Sequence, residues 1–266
     1  MNRNVLYIGV AGLLAEHVRE VAEFYENLVV EIKSNKIPPI LFLGLQTSRK
    51  FLNGEQVNPN FASRMNNIDQ IKKACHAISG LCYSNIIVHY NPSGGYNLAG
   101  TVDHLKQISQ TLITGIQFNG FSTKQTEEVS KIMSTIDNDG CGISLILQIG
   151  KDDYENPKHF AKNIKKFSFL NPTHFLLDGS GGRGLPIDDL KAISWLKELQ
   201  SSNNKKGLVI SGGLGADTFD IVRRIRNSVS YSLEISIDAE GKLREEQGFS
   251  VEKTKKFLKR AIKFYV

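Results

Sequence analysis

A (β/α)8 barrel is the fold this chain predicts, and three observations carry that expectation. Short apolar runs alternate with stretches whose apolar residues recur at helical spacing, and the alternation persists to the end of the chain. Hairpin signals are missing between the strand-like runs, so successive strands are expected to run parallel with a helix between them. The length of 266 residues matches the usual size of such a barrel.

Each unit can be justified in turn. Val5 to Val10 is the first apolar run, and Glu16 to Ile32 then repeats Val18, Val21, Ala22, Tyr25, Leu28 and Val29 on one helical face. Ile40 to Leu45 is the next strand, followed by a long polar stretch from Gln46 to Asn66 and a helix over Ile68 to Ile78. That polar stretch reads as irregular, either a lid over the barrel mouth or an ordered surface loop. The following pairs are Asn85 to Tyr90 with Thr101 to Ile108, Gly115 to Phe118 with Lys124 to Ile136, and Ile143 to Ile149 with Pro157 to Phe167. The last three are His174 to Leu177 with Asp188 to Leu199, Leu208 to Ile210 with Ala216 to Ile225, and Leu233 to Ile237 with Val251 to Phe264. No low-complexity linker or shift in composition interrupts them, so one domain over residues 1–266 is expected. An open doubly wound sheet competes, but Gly9-Val10-Ala11-Gly12 after the first strand lacks the third glycine and the distant acid of a dinucleotide site.

Composition narrows the function classes. A chain 41% hydrophobic and 23% charged can bury a full core. Its three cysteines, Cys75, Cys82 and Cys141, are odd in number and lack ligand spacing, which argues against a disulfide framework and for a reducing compartment. With no apolar leader and no run of 18 apolar residues, a cytoplasmic location is expected, away from membranes. The net charge of +6 would favour an anionic small molecule at long range. The lysine clusters at 162–166 and 253–256 read as solvated helix faces, and no nucleic-acid partner is expected. The oligomeric state is not set by the sequence.

In a barrel the site is built from residues just past the strands. Here those are Gln46, His89, Asn91, Gln117, Asn119, Gln148, Asp178 and Asp238. Amides both donate and accept, which suits recognition of hydroxyls, amides or heterocycles. His89 is the one histidine at such a position and could act as acid, base or donor; it could equally be a satisfied structural histidine. Asn91 opens the turn sequence Asn91-Pro92-Ser93-Gly94-Gly95 and could simply cap it. Asp178 precedes the loop Gly179-Ser180-Gly181-Gly182-Arg183-Gly184, where it serves chemistry or caps the turn. Asp238 faces the same choice, and two carboxyls in unlike environments could divide acid and base roles. Gly212-Gly213, read as lying just before a helix starting near Ala216, would offer backbone N–H groups to an anion. The scattered histidines form no metal motif, and neither a metal nor another cofactor is expected.

Leu176-Leu177-Asp178 with Gly181-Gly182-Arg183-Gly184, then Ser211-Gly212-Gly213-Leu214, then Glu234-Ile235-Ser236 leading to Glu240-Gly241-Lys242, make the last ninety or so residues resemble phosphoribosylanthranilate isomerase, a (β/α)8 enzyme of tryptophan biosynthesis. The resemblance implies that Asp178 is the general acid of an Amadori-type rearrangement, that Gly212 and Gly213 form the phosphate-binding turn, and that Ser236 lies in the last phosphate-binding segment. It also implies a cysteine base at the end of the first strand, where this chain has Ile8-Gly9, and a glycine where it has Asp238. A carboxylate there repels a phosphate dianion unless Arg183 or Lys242 compensates it. The expectation is a divergent isomerase or lyase that keeps Asp178, recruits His89 or Asp238 as partner, and acts on a sugar-like or phosphorylated small molecule. The alternative is a noncatalytic binding or sensor protein using the same mouth.

Overall fold

Eight parallel strands close into a barrel in chain order. The computed structural model describes residues 5–92, 98–121, 126–137, 143–150, 155–163, 170–178, 185–201, 206–229, 235–246 and 248–266. The strands are β1 (Tyr7–Ala11), β2 (Ile40–Ser48), β3 (Ser84–Asn91), β4 (Gly115–Phe121), β5 (Ser144–Ile149), β6 (His174–Asp178), β7 (Gly207–Ser211) and β8 (Ile235–Ala239). The principal helices are α1 (Ala15–Ile32), α4 (Ile68–Ala77), α5 (Leu98–Ser109), α6 (Thr126–Asp137), α7 (Pro157–Asn163), α8 (Asp189–Ser201), α9 (Phe219–Asn227) and α10 (Val251–Tyr265). The (β/α)8 expectation is met.

Period decides which side chains go where. On each strand alternate residues face out, so Ile8, Val10, Leu41, Leu43, Leu45, Leu208 and Ile210 join the helices in one continuous apolar layer. The helices answer with their own stripes: Val18, Val21, Ala22, Tyr25 and Leu28 on α1, and Phe257, Leu258, Ala261 and Ile262 on α10. Ser250 caps α10 by accepting from the Lys253 N–H at 3.4 Å, and Lys255 of α10 pairs with Glu20 of α1 at 2.8 Å. The opposite strand faces fill the bore with a second apolar cluster of Tyr7, Phe42, Ile87, Ile146, Leu176 and Val209. Each such buried side chain contributes roughly 1.5–3 kcal/mol. The bore is therefore a packed plug, and only its C-terminal end is open to chemistry.

The stretch after β2 differs from its irregular reading. It contains two short helices, α2 (Arg49–Leu52) and α3 (Pro59–Ala62). Ser48 caps α2 by accepting from the Phe51 N–H at 3.2 Å, and Asn58 caps α3 with Pro59 in its first turn. The stretch is tied down rather than free: the Asn66 N–H donates to the Gln46 carbonyl at 2.8 Å, and Asn66 Nδ2 donates to the Leu13 carbonyl at 3.0 Å. Helix α9 also begins later than expected. Thr218 Oγ1 accepts from the Gly215 N–H at 2.8 Å, so a turn fills residues 215–218 and the helix starts at Phe219. After β8 come a 3-10 turn (Gly241–Leu243) and a small hairpin of Arg244–Glu245 with Gly248–Phe249.

Candidate functional site

Two polar rows stand on the apolar plug. In the first, Asp178 of β6, Ser211 of β7, Asp238 of β8 and Gly9 of β1 are aligned neighbours. In the second, Gln46 of β2, His89 of β3 and Gln117 of β4 are aligned likewise. The rows bring together residues from both halves of the chain, as the barrel reading anticipated. Two strand spacings separate the backbones of Asp178 and Asp238, on the order of 10 Å, with Ser211 of β7 between them.

The first row owes its geometry to glycine. A side chain at Gly9 would overlap the Asp238 carboxyl, so the absence of one lets that carboxyl lie across β1. Burial pushes the Asp238 carboxyl up to about 8, and the negative charges of Glu240 and Asp178 push in the same direction. Asp178 is buried, and its Oδ2 accepts from Gln148 Nε2 at 3.1 Å. Gly212, with φ at +107°, comes so close that a Cβ there would lie 3.3 Å from Asp178 Oδ1. Gly213, with φ at +56°, packs under Leu185 and Pro186. The Gly212-Gly213 turn is thus a neighbour of Asp178, but the N-terminus of α9 begins only at Phe219 and does not follow it directly.

Ser236 is not brought to either row. It is buried near the start of β8, and its Oγ accepts from the Tyr7 N–H at 3.0 Å, one interior layer below Asp238. Parity explains this placement, since residues two apart on a strand share a face but differ in depth. Arg183 and the rest of the loop 179–184 lie outside the described residues.

In the second row the His89 imidazole occupies space left by Gly44, where a Cβ would come within 2.7 Å of Nε2. Burial pulls His89 down to about 4, so the ring is neutral at physiological pH. Gln117 Nε2 meets His89 Nδ1 at 3.4 Å and donates to Asn119 Oδ1 at 3.0 Å. In that arrangement Nδ1 accepts, and the ring proton is left on Nε2. Asn119 is half-buried beside a register shift between Phe118 and Phe121, a bulge that bends β4 at the rim. Asn91 ends β3 at an exposed rim position.

Sequence reading missed one part of this assembly. Arg64, from the stretch after β2, pairs with Glu240 beyond β8, and Arg244 Nη1 donates to the Gly12 carbonyl at 3.3 Å. These contacts clasp the loops after β1, β2 and β8 around Asp238. Only the interior glycines, which sit badly in ordinary strands, could have signalled the crowding there. Among the described residues, no group of three or more His, Cys, Asp or Glu is arranged to hold a metal ion.

Similar solved structures share this architecture. A phosphoribosyl anthranilate isomerase from Thermococcus kodakaraensis superposes with a TM-score of 0.54 at 12% identity, over 97% of this chain and 99% of that one. A mutant tryptophan synthase alpha-subunit from Pyrococcus furiosus gives 0.55 at 12%, over 99% of each chain. A putative phosphonomutase from Burkholderia cenocepacia J2315 gives 0.53 at 6%, over 90% of this chain and 89% of that one. The likeness is one of fold. No protein-family model matches the sequence, and no curated protein matches it.

The glycine argument predicts a specific epistasis. Gly9→Ala should destabilise the protein by about 1–3 kcal/mol by driving a methyl into the Asp238 carboxyl. Truncating that carboxyl in the double variant Gly9→Ala/Asp238→Ala should restore most of the loss, as a urea-melt double-mutant cycle would show. Additive effects would mean that the two positions do not share space.

Proposed function

We propose that the barrel mouth performs acid–base chemistry of isomerase or lyase type on a sugar-like or phosphorylated small molecule, with Asp178 and Asp238 as the proton-transfer pair. The observation that carries this reading is the overlap at Gly9. The resemblance to phosphoribosylanthranilate isomerase puts a cysteine base at that strand end, and here the Asp238 carboxyl fills the space such a side chain would take. A carboxyl pushed up to about 8 also has nearly the proton affinity of a thiol, whose ordinary value is about 8.5. The chain thus replaces a thiol and a carboxyl with two carboxyls facing one space.

The pair then differs from the family's division of labour. At neutral pH Asp238 holds its proton and serves as the donor, while Asp178, held by Gln148, serves as the acceptor. Neutral His89 contributes its Nε2–H as a hydrogen-bond donor to a substrate oxygen rather than taking a proton. Gln46, Gln117, Asn119, Gln148 and, at the rim, Asn91 supply the recognition contacts. Any phosphate would rest on the Gly212-Gly213 turn.

Because the pair abstracts and returns a proton, its activity can be detected before the substrate is named. Deuterium washing in from D2O at the carbon beside a carbonyl, followed by NMR over a panel of ketoses, aldoses and their phosphates, is expected to reveal turnover. Saturable binding with no exchange or conversion would instead favour the noncatalytic sensor. With a substrate in hand, kcat/KM should fall as pH rises through about 8, where Asp238 gives up its proton, and should show no histidine limb between pH 5 and 7. A rate that climbs through pH 8 would make Asp238 the base.

A further inference from the structure

We infer that the Gln46–His89–Gln117 row is a recognition subsite for adjacent uncharged oxygens, the vicinal hydroxyls or hydroxy-carbonyl of an unphosphorylated sugar-like ligand. The inference rests on the reading of this mouth as a small-molecule site and names the part of the ligand that the two carboxyls do not handle.

The row combines burial with unused hydrogen-bonding capacity. Gln46, His89 and Gln117 are 8%, 7% and 3% exposed. Yet the Gln46 side-chain amide, His89 Nε2 and Gln117 Oε1 have no hydrogen-bond partner among the described residues. Nor are they among the described polar atoms sealed from solvent without a partner, which are Tyr7 Oη, His17 Nδ1, Thr47 Oγ1, Asn66 Oδ1 and Thr101 Oγ1. Buried polar groups ordinarily find partners, so three in one row with free atoms is a feature to be filled by a ligand or its solvent substitute. The side chains are one strand spacing apart, about 4.8 Å, and so reach neighbouring groups of one small molecule.

Their chemistry selects the ligand. His89 Nε2–H donates, Gln117 Oε1 accepts, and the Gln46 amide does both. A hydroxyl donates and accepts at once and satisfies such a mixed set, whereas a phosphate dianion only accepts and leaves the Gln117 oxygen facing negative charge. Among the described residues, no cation stands in the row. Across the mouth, Asp178 and Glu240 add negative potential, and Arg64 and Arg244 are turned onto Glu240 and the Gly12 carbonyl. Beneath lies the apolar plug around Phe42, a surface suited to the C–H face of a sugar.

The test follows the His89 Cε1–H signal of protein labelled with 13C-histidine, assigned with a His89→Gln variant. It is titrated with unphosphorylated pentoses and hexoses as aldoses and ketoses, with their monophosphates, and with inorganic phosphate. A free sugar is expected to shift His89 saturably, and Gln46→Leu and Gln117→Leu to weaken it about tenfold each. The inference is overturned if no free sugar shifts the signal, if a phosphate or sugar phosphate does so at lower concentration than the parent sugar, or if folded leucine variants bind as wild type. Deuterium exchange without a His89 shift would remove this subsite and leave the acid–base pair standing. A His89 shift in a protein that catalyses no exchange would do the reverse.

Discussion

Asp238→Asn is expected to raise the thermal midpoint by several degrees at pH 8 while abolishing proton exchange. The stability effect follows from linkage. Burial, with Glu240 and Asp178 nearby, pushes the native carboxyl up to about 8, against about 3.9 in an unfolded chain. The folded value is the higher one, so the protonated group costs nothing below pH 4. The penalty grows as pH rises, because the unfolded chain gives up the proton first, and it levels off once pH passes the folded value near 8. At pH 7 it is on the order of 4 kcal/mol. Asparagine cannot ionise and escapes the penalty. Melts of both proteins from pH 4 to pH 9 should therefore coincide at the acid end and diverge steadily toward pH 8. Parallel curves would show that the carboxyl ionises as freely in the folded protein as in the unfolded one, and the proposed donor would lose its basis. A residue that weakens the fold at working pH marks the stability cost often paid for a functional group.

Asp178→Asn should lower turnover by about 10²–10⁴-fold with little change in the thermal midpoint. Asparagine keeps the size of the side chain and an oxygen able to accept from Gln148 Nε2, so the row keeps its shape and loses only the group that takes the proton. Because the charge of Asp178 helps to raise Asp238, any residual activity should also show its alkaline fall at lower pH. Glu240→Gln acts on the same group and should move that fall in the same direction in an otherwise active enzyme. Collapse of the fold in Asp178→Asn would make this residue a structural cap of the turn that follows it.

The barrel was legible in the sequence because its two periods are strong. The apolar runs are short, the helical stripes are long, and every strand was found within a few residues of its place. The rim residues were legible for a related reason: a polar residue that ends an apolar strand has only the mouth to face. What was not legible depended on contacts between remote segments. Arg64 is unremarkable in its loop until the ring brings Glu240 beside it. Ser236 lies in a segment that the family resemblance tied to phosphate, yet strand parity sets it a layer deeper, against the Tyr7 backbone. The start of α9 turned on one hydroxyl, since Thr218 binds the Gly215 N–H and delays the helix. Asn58-Pro59 lies in the stretch that reads as irregular, although asparagine followed by proline is also the signature of a helix start.

The seam that closes the ring is, with β5–β6, one of its two shortest, and it coincides with the chemistry. The ring is joined end to end by three aligned pairs, Ile8 with Ile237, Gly9 with Asp238 and Val10 with Ala239, whereas β2 and β3 are zipped from Leu41–Ser84 to Ser48–Asn91. A transient parting of so short a zip would wet the middle pair and let its acid ionise, and an anion there resists being dried again. Alkali should therefore unfasten this protein from one seam, with the amides of its first and last strands exchanging earliest.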